Sequence, residues 1–276
     1  MYAEHLRVPV GAGSLHVERV GRAGPPVVLL HGFGTCTFLW RAVAPRLAEA
    51  GYTAIAVDLM GHGESDRPAD VSYDLGAQAQ YVEQALTALR LPEAAVVGQD
   101  IGGLVALLLA AQRPARTRKI ALLEPPDPDD LPGPEIRMLQ RTSVLSALTA
   151  NTLFGARPLL EPLLRRAVLS AAHMPDRLIA RYLAPFVGSD GAAQLLQLAS
   201  AVALSDDERR RLADVRADLL LWVGAEHADQ PADRLHGWRR ALPNATVRPL
   251  TVHPLGALVA EAAPLALVSA LLAWLA

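Results

Sequence analysis

The sequence predicts an α/β protein with a mostly parallel, doubly wound sheet and an inserted helical cap. Short apolar segments alternate with helical stretches from residue 26 to residue 123, and this alternation is typical of parallel sheets. Glycine-punctuated polar loops follow several of the strands, at the end of the sheet where such folds bind ligands. The segment Glu124–Asp130 is dense in Pro and Asp, and it interrupts the alternation until residue 218.

Composition limits the class of protein. The 276 residues are 51% apolar, which suffices for one large domain or for a core domain with an insertion. A net charge of −2 gives no indication of a nucleic-acid surface, and the single cysteine, Cys36, excludes an internal disulfide. The first ten residues lack a signal-peptide core, and no apolar run is long enough to span a membrane. We expect a cytoplasmic monomer or homodimer with no membrane or nucleic-acid partner.

The first half of the chain predicts a hairpin followed by strands and helices in alternation. Leu6–Val10 and Leu15–Val20 alternate around Gly11-Ala12-Gly13, as hairpin strands do. Continuous apolar runs indicate strands that are buried on both faces. The predicted strands are Pro26–Leu30, Thr53–Val57, Ala94–Gly98 and Lys119–Leu123, and the predicted helices are Phe38–Glu49, Leu75–Leu89 and Gly102–Gln112.

The second half predicts the cap and the return of the sheet. Residues 127–205 are helical in pattern and rich in Ala, Leu and Arg, so we assign them to the cap and assign residues 1–126 and 206–276 to the core. Strand Asp218–Val223, helix Pro231–Ala241, strand Thr246–Leu250 and a final helix at Pro264–Leu275 complete the core.

The segment Val96–Leu104 predicts a buried strand, a sharp turn and an apolar helix, with Asp100 at the corner. The pattern is G-x-D-x-G. In the nucleophile-elbow motif G-x-S-x-G, small neighbours allow the backbone to pass close to a strained central residue. The start of the following helix would stabilise a carboxylate there. The alternative is that Asp100 only caps the helix.

Four motifs carry a family resemblance. They are His31-Gly32-Phe33-Gly34, Asp58-Leu59-Met60-Gly61-His62-Gly63-Glu64-Ser65, Gly98-Gln99-Asp100-Ile101-Gly102-Gly103 and Leu-Leu-Glu124-Pro. In this order and spacing the chain resembles the α/β-hydrolases, and within them the branch of epoxide hydrolases and haloalkane dehalogenases. The resemblance implies that Asp100 attacks an electrophilic carbon to form an ester. It also implies an oxyanion hole formed by the N–H groups of Phe33 and Ile101.

The resemblance further implies a histidine that activates water and an acid that orients it. Glu124 matches one family position for the acid, and Asp229 lies near the other. Aligning Glu261 and Pro264 with the family pattern puts Ala257 at the histidine position, whereas His253 lies four residues earlier. The catalytic candidates are therefore Asp100, Glu124, Asp229 and His253.

Substrate contacts are expected from His31, Gly32, Gln99, Trp40, Tyr182 and Ala257. The resemblance implies that cap tyrosines donate protons in epoxide opening, and the predicted cap has one tyrosine, Tyr182, which weakens the prediction of that activity. Without a base the ester hydrolyses slowly, so the leading hypothesis is non-hydrolytic chemistry on an apolar small molecule, such as ring opening, cyclisation, isomerisation or elimination. The alternatives are a conventional hydrolase that uses His253, an engineered His-to-Ala variant of one, and a ligand-binding protein without catalysis. No cofactor and no metal site are predicted.

Overall fold

The sheet of the computed structural model confirms the predicted α/β class. The structure describes residues 2–117, 119–141, 155–168, 170–188, 190–224, 231–252 and 256–276. In this part of the chain the sheet has eight strands, in the spatial order β1-β2-β4-β3-β5-β6-β7-β8. The strands are β1 (Glu4–Val10), β2 (Gly13–Val20), β3 (Pro26–Leu30), β4 (Thr53–Val57), β5 (Ala95–Gln99), β6 (Lys119–Leu123), β7 (Asp218–Gly224) and β8 (Thr246–Val252).

Strand direction brings the candidate motifs to one edge of the sheet. β1 pairs with β2 and β2 with β4 in antiparallel register, and the remaining pairs are parallel. The predicted opening hairpin is therefore present. β4 lies on one side of β3 and β5 on the other, so the direction of winding reverses at β3. Crevices at such reversals are the usual ligand sites of open α/β sheets.

The helices lie in the segments that connect the strands from β3 onward and in the segment after β8. They are α1 (Ala44–Glu49), α2 (Leu75–Ala88), α3 (Ile101–Gln112), α4 (Pro134–Arg141), α5 (Arg157–Arg166), α6 (Asp176–Leu183), α7 (Gly191–Ser200), α8 (Asp206–Leu212), α9 (Pro231–Ala241), α10 (Val259–Ala262) and α11 (Pro264–Leu275). The predicted helix Phe38–Glu49 is instead a 3₁₀ turn, Thr37–Trp40, followed by α1. Pro45, which lacks an N–H, lies in the first turn of α1, where that donor would have no partner within the helix.

Helices α4 to α8 lie between β6 and β7 in the chain, and α4 to α7 fall within residues 127–205, where the cap is predicted. The boundaries of the cap stay a prediction. α8 begins at a capping box in which Ser205 and Glu208 bond each other's backbone N–H, and it packs on α3. A buried network joins α6 to the core, because the hydroxyl of Tyr182 donates to Glu261 and Nη2 of Arg41 lies 2.6 Å from Oε2 of the same carboxylate.

Among the described helices, none combines the length and apolar character needed to cross a bilayer.

Candidate active site

The structure places Asp100 at the corner between β5 and α3. Its φ of 53° and ψ of −124° are strained for a residue with a side chain. The N–H of Asp100 donates to the carbonyl of Leu123 at 3.0 Å, and the N–H of Gly103 donates to the carbonyl of Asp100 at 2.9 Å. Within the described residues the carboxylate makes no capping bond to α3. The strained corner thus presents the side chain rather than using it as a helix cap.

Glycine is required at two close approaches in this corner. A Cβ on Gly102 would lie 2.5 Å from the carbonyl oxygens of both Leu30 and His31, which is closer than real Cβ atoms approach. A Cβ on Gly32 would lie 2.9 Å from Cβ of Asp100. The loop after β3 therefore passes directly against the corner, because both positions lack a side chain.

This approach brings backbone donors to the carboxylate. The N–H of Phe33 donates to Oδ2 of Asp100 at 2.9 Å. Burial raises the pKa of Asp100 to about 6, whereas the N–H groups of Phe33 and Ile101 favour the charged form and oppose this rise. The charge of Glu135 raises the pKa further. At neutral pH the group is mostly ionised, and the N–H of Phe33 holds its Oδ2.

Asp100 faces a cavity of about 510 Å³. Helices α4 and α5 contribute apolar walls, which include Ile136, Leu160, Leu163 and Leu164. Charged residues also line it, namely Glu124, Asp127, Asp130, Glu135, Arg166 and Arg234. The cavity is therefore less uniformly apolar than the Ala- and Leu-rich cap sequence predicts.

Glu124 follows β6 and lines the same cavity. It has a φ of 44°, its side chain is 2% exposed, and its Oε2 lies 3.3 Å from Nη1 of Arg234. Arg234 also donates to the carbonyl of Pro125. Asp100 and Glu124 share this cavity because β5 and β6 are neighbouring parallel strands.

Gly32 and Ala257 are the two predicted substrate-contact residues that line the cavity. The other four do not line it. Trp40 is fully buried in the core. His31 is also fully buried, where Nδ1 bonds the carbonyl of Gly32 at 2.8 Å and Nε2 accepts from the N–H of Leu59 at 3.0 Å. Burial lowers the pKa of His31, so this histidine is neutral and braces the two loops.

Gln99 and Tyr182 do not line the cavity either, and each side chain is engaged elsewhere. The amide of Gln99 donates to the carbonyl of Ala257 at 2.9 Å and accepts from the N–H of Ala260 at 3.4 Å. The hydroxyl of Tyr182 is directed to Glu261 rather than into the cavity. Gln99 therefore positions the loop that carries Ala257, and Tyr182 ties the cap region to the core.

Two catalytic candidates, Asp229 and His253, lie outside the described residues. Of the eight histidines, His227 and His253 lie outside this part of the chain, and none of the other six lines the cavity. Ala257, for which the sequence predicts the position of the family histidine, is at the cavity wall.

Sequence reasoning missed Arg234 and Glu135. Arg234 lies in the helix after β7, near the carboxyl ends of the strands, and this position is the one signal that could have identified it. Glu135 is in the first turn of α4, in a region for which the sequence offers no motif.

Comparison with known proteins gives consistent matches. A family model described as alpha/beta hydrolase fold matches residues 25–248. A haloalkane dehalogenase of Mycobacterium marinum is 30% identical over 239 residues, which are 85% of this chain and 75% of the relative. Bifunctional epoxide hydrolase 2 of Mus musculus is 35% identical over 130 residues, which are 45% of this chain and only 23% of the mouse protein. The chain thus matches less than a quarter of that relative's length.

Comparison with solved structures also matches this chain to haloalkane dehalogenases. The crystal structure of haloalkane dehalogenase DbeA from Bradyrhizobium elkani USDA94 superposes with a TM-score of 0.79 at 25% identity, covering 99% of this chain and 97% of that one.

Proposed function

This chain belongs to the alpha/beta hydrolase fold family, and from that premise we propose that it is an epoxide hydrolase-like enzyme acting on a small, largely apolar organic molecule through Asp100. The observation that carries the proposal is the hydrogen bond from the N–H of Phe33 to Oδ2 of Asp100, at the wall of the 510 Å³ cavity. This bond favours an ionised carboxylate with its second oxygen directed to substrate. The names of the relatives support the same class of chemistry.

In the first step Oδ1 of Asp100 attacks an epoxide carbon. A C–O bond forms to give an ester, the ring C–O bond breaks, and the ring oxygen stays on the substrate as an alkoxide until the second step. The N–H of Phe33 holds Oδ2, and the N–H of Ile101 also favours the charged form, while the charge of the carboxylate is redistributed. An epoxide fits better than a halide, because Phe33 and Ile101 offer no side-chain N–H to hold a halide ion.

The second step is proposed to be non-hydrolytic. The methyl group of Ala257 lies at the cavity wall where the family alignment expects an imidazole. General-base catalysis contributes about 10²–10⁴-fold, so water attack on the ester would be slow without it. A hydroxyl of the substrate attacks the ester's alkyl carbon instead, the ester C–O bond breaks to regenerate Asp100, and the hydroxyl proton passes to the alkoxide. The net reaction is an isomerisation by cyclisation.

A second candidate is a conventional hydrolase with His253 as the base and with Asp229 or Glu124 as the orienting acid. The position of Glu124 on the cavity wall and the names of the relatives favour it. An engineered His-to-Ala change at Ala257 would give the same fold with an impaired second step. A non-catalytic binding protein is the remaining alternative.

The test is incubation with hydroxyalkyl epoxides in oxygen-18 water, followed by analysis of the product and of the intact protein by mass spectrometry. A cyclic ether, with no label in the peptide that contains Asp100, supports the proposal. A diol with label in that peptide supports the hydrolase, because water then enters at the ester carbonyl. The proposal fails if neither product nor adduct forms, or if Asp100→Asn retains activity within a few-fold of the parent.

A further inference from the structure

Two histidines and a glutamate converge on one face of the β1–β2 hairpin. His5 lies opposite Glu18 in the antiparallel register, and His16 is two residues before Glu18, so the three side chains share a face. Nδ1 of His5 is 3.2 Å from Nε2 of His16 and 3.9 Å from Oε1 of Glu18. One ligand atom from each residue lies within 4.8 Å of the others.

A buried carboxylate orients the central histidine. Oδ2 of Asp58, a residue that is 1% exposed, lies 2.8 Å from Nδ1 of His16. The N–H of Thr37 donates to Oδ1 of Asp58 at 2.6 Å, and the N–H of Glu64 donates to Oδ2 at 2.9 Å. Because the Asp58 carboxylate is the acceptor of these bonds, Nδ1 of His16 carries the proton that it donates to Oδ2. The lone pair of Nε2 then points toward His5, which is the carboxylate–histidine arrangement found behind metal ligands.

Glu18 is also held in place. Its Oε1 accepts a hydrogen bond from the hydroxyl of Thr37 at 2.9 Å. The side chain of His5 is 62% exposed whereas that of His16 is 4% exposed, so an ion could enter from solvent and meet one preformed ligand. Oε2 of Glu64 lies 3.9 Å from Nε2 of His16 and is placed to become a fourth ligand.

We propose that His5, His16 and Glu18 bind one divalent first-row transition ion of the Zn²⁺ type. Imidazole and carboxylate are suitable ligands for such ions. Two ligand atoms about 2.1 Å from one tetrahedral ion lie about 3.4 Å apart. The separations of 3.2 Å and 3.9 Å bracket this value, so small side-chain rotations complete the site.

The site is separate from the Asp100 cavity, because none of its three ligands lines that cavity. Sequence spacing gave no sign of it, since positions 5, 16 and 18 meet only through the hairpin register. One neighbouring cation, Arg7, lies opposite His16 in the register and is paired with Asp66 and with the carbonyl of Glu64. Its charge is therefore balanced. A bound ion would tie the sheet edge to the Asp58 loop and stabilise the native state.

The test uses the full chain, free of any affinity tag and treated with a chelator. Calorimetric titration with ZnCl₂ is expected to give one site per chain. At a free Zn²⁺ concentration of 100 times Kd, the midpoint temperature of thermal unfolding is expected to rise by about 5 °C. His5→Ala and Glu18→Gln should each weaken binding at least tenfold, whereas His173→Ala, which removes an exposed histidine in the inserted region, should leave it unchanged.

Because His5 is exposed, we expect His5→Ala to keep the fold. Equal unfolding temperatures of His5→Ala and the parent without metal would confirm that it does. Co²⁺ absorption in the visible range provides an independent signature of an ion held by nitrogen and oxygen ligands. The proposal is overturned if no saturable Zn²⁺ binding occurs, or if His5→Ala and Glu18→Gln both bind Zn²⁺ as tightly as the parent.

Discussion

Nη1 of Arg234 lies 3.3 Å from Oε2 of Glu124, on the wall of the cavity that Asp100 faces. The two side chains are 13% and 2% exposed, so the pair is largely removed from water. A carboxylate that is already paired with a guanidinium is a weaker orienting acid for a histidine. The pair therefore favours Asp229 over Glu124 for that role in any hydrolytic version of the mechanism.

Arg234→Gln is expected to destabilise the protein by about 2 kcal/mol, because it removes the cation that faces a buried carboxylate. Urea unfolding measures the change. Arg239→Gln, at an exposed position of the same helix, is the matched control and is expected to cost less than about 0.5 kcal/mol. Equal stabilities of the two variants would show that the Glu124–Arg234 pair has no energetic role.

Asp100→Asn is expected to be more stable than the parent at neutral pH. Burial raises the pKa of Asp100 to about 6 in the folded protein from an ordinary 3.8, so the folded state binds more protons than the unfolded chain between these values. Stability of the parent therefore falls as the pH rises through this window. Asparagine does not titrate, so position 100 adds no pH dependence to the variant's stability. The free energy of unfolding of Asp100→Asn should therefore exceed that of the parent by nearly zero at pH 4 and by as much as about 3 kcal/mol above pH 6.

Denaturant unfolding at several pH values measures this difference. A constant difference from pH 4 to pH 8 would mean that Asp100 titrates alike in the folded and unfolded states. The activity of the parent should rise across the same pH range, because the attacking group is the ionised carboxylate.

Gly32→Ala is expected to lower the rate of the first chemical step by about 10²-fold. The new Cβ would lie 2.9 Å from Cβ and 3.1 Å from Oδ2 of Asp100, so the carboxylate must move away from the N–H of Phe33. Single-turnover formation of the Asp100 adduct measures the rate. Gly133→Ala is the control, because Gly133 also lines the cavity but its Cβ would meet only Oε2 of Glu135, at 4.0 Å. Similar losses in both variants would contradict the steric argument.

Tyr182→Phe is expected to destabilise the protein by about 1–2 kcal/mol while changing the rate of adduct formation less than about twofold. The hydroxyl donates to the buried carboxylate of Glu261 and does not line the cavity. Tyr81→Phe, which removes an exposed hydroxyl bonded to the carbonyl of Ser72 at 3.0 Å, is the control. A large loss of rate with unchanged stability would restore Tyr182 as a proton donor.

Much of the fold and the position of Asp100 follow from local sequence signals. The run Pro26–Leu30 is a strand because its residues are apolar on both faces, and the glycines around Asp100 permit the sharp corner and the close passage of the loop after β3. The division of the predicted helix Phe38–Glu49 was missed, although Pro45 was a local signal for it. Signals of this kind depend on a few neighbouring residues, so they can be recognised without knowing the partners of each element.

The sequence by itself determined the order of strands and helices, the corner at Asp100 and the family, because periodicity and turn chemistry are local properties. Only the tertiary structure decided where side chains point. It directs Tyr182 to Glu261 and Gln99 to the carbonyl of Ala257, and it pairs Glu124 with Arg234. It also brings His5 to His16 and Glu18. These contacts join residues up to 158 positions apart, and they exist only because chain packing brings their elements together.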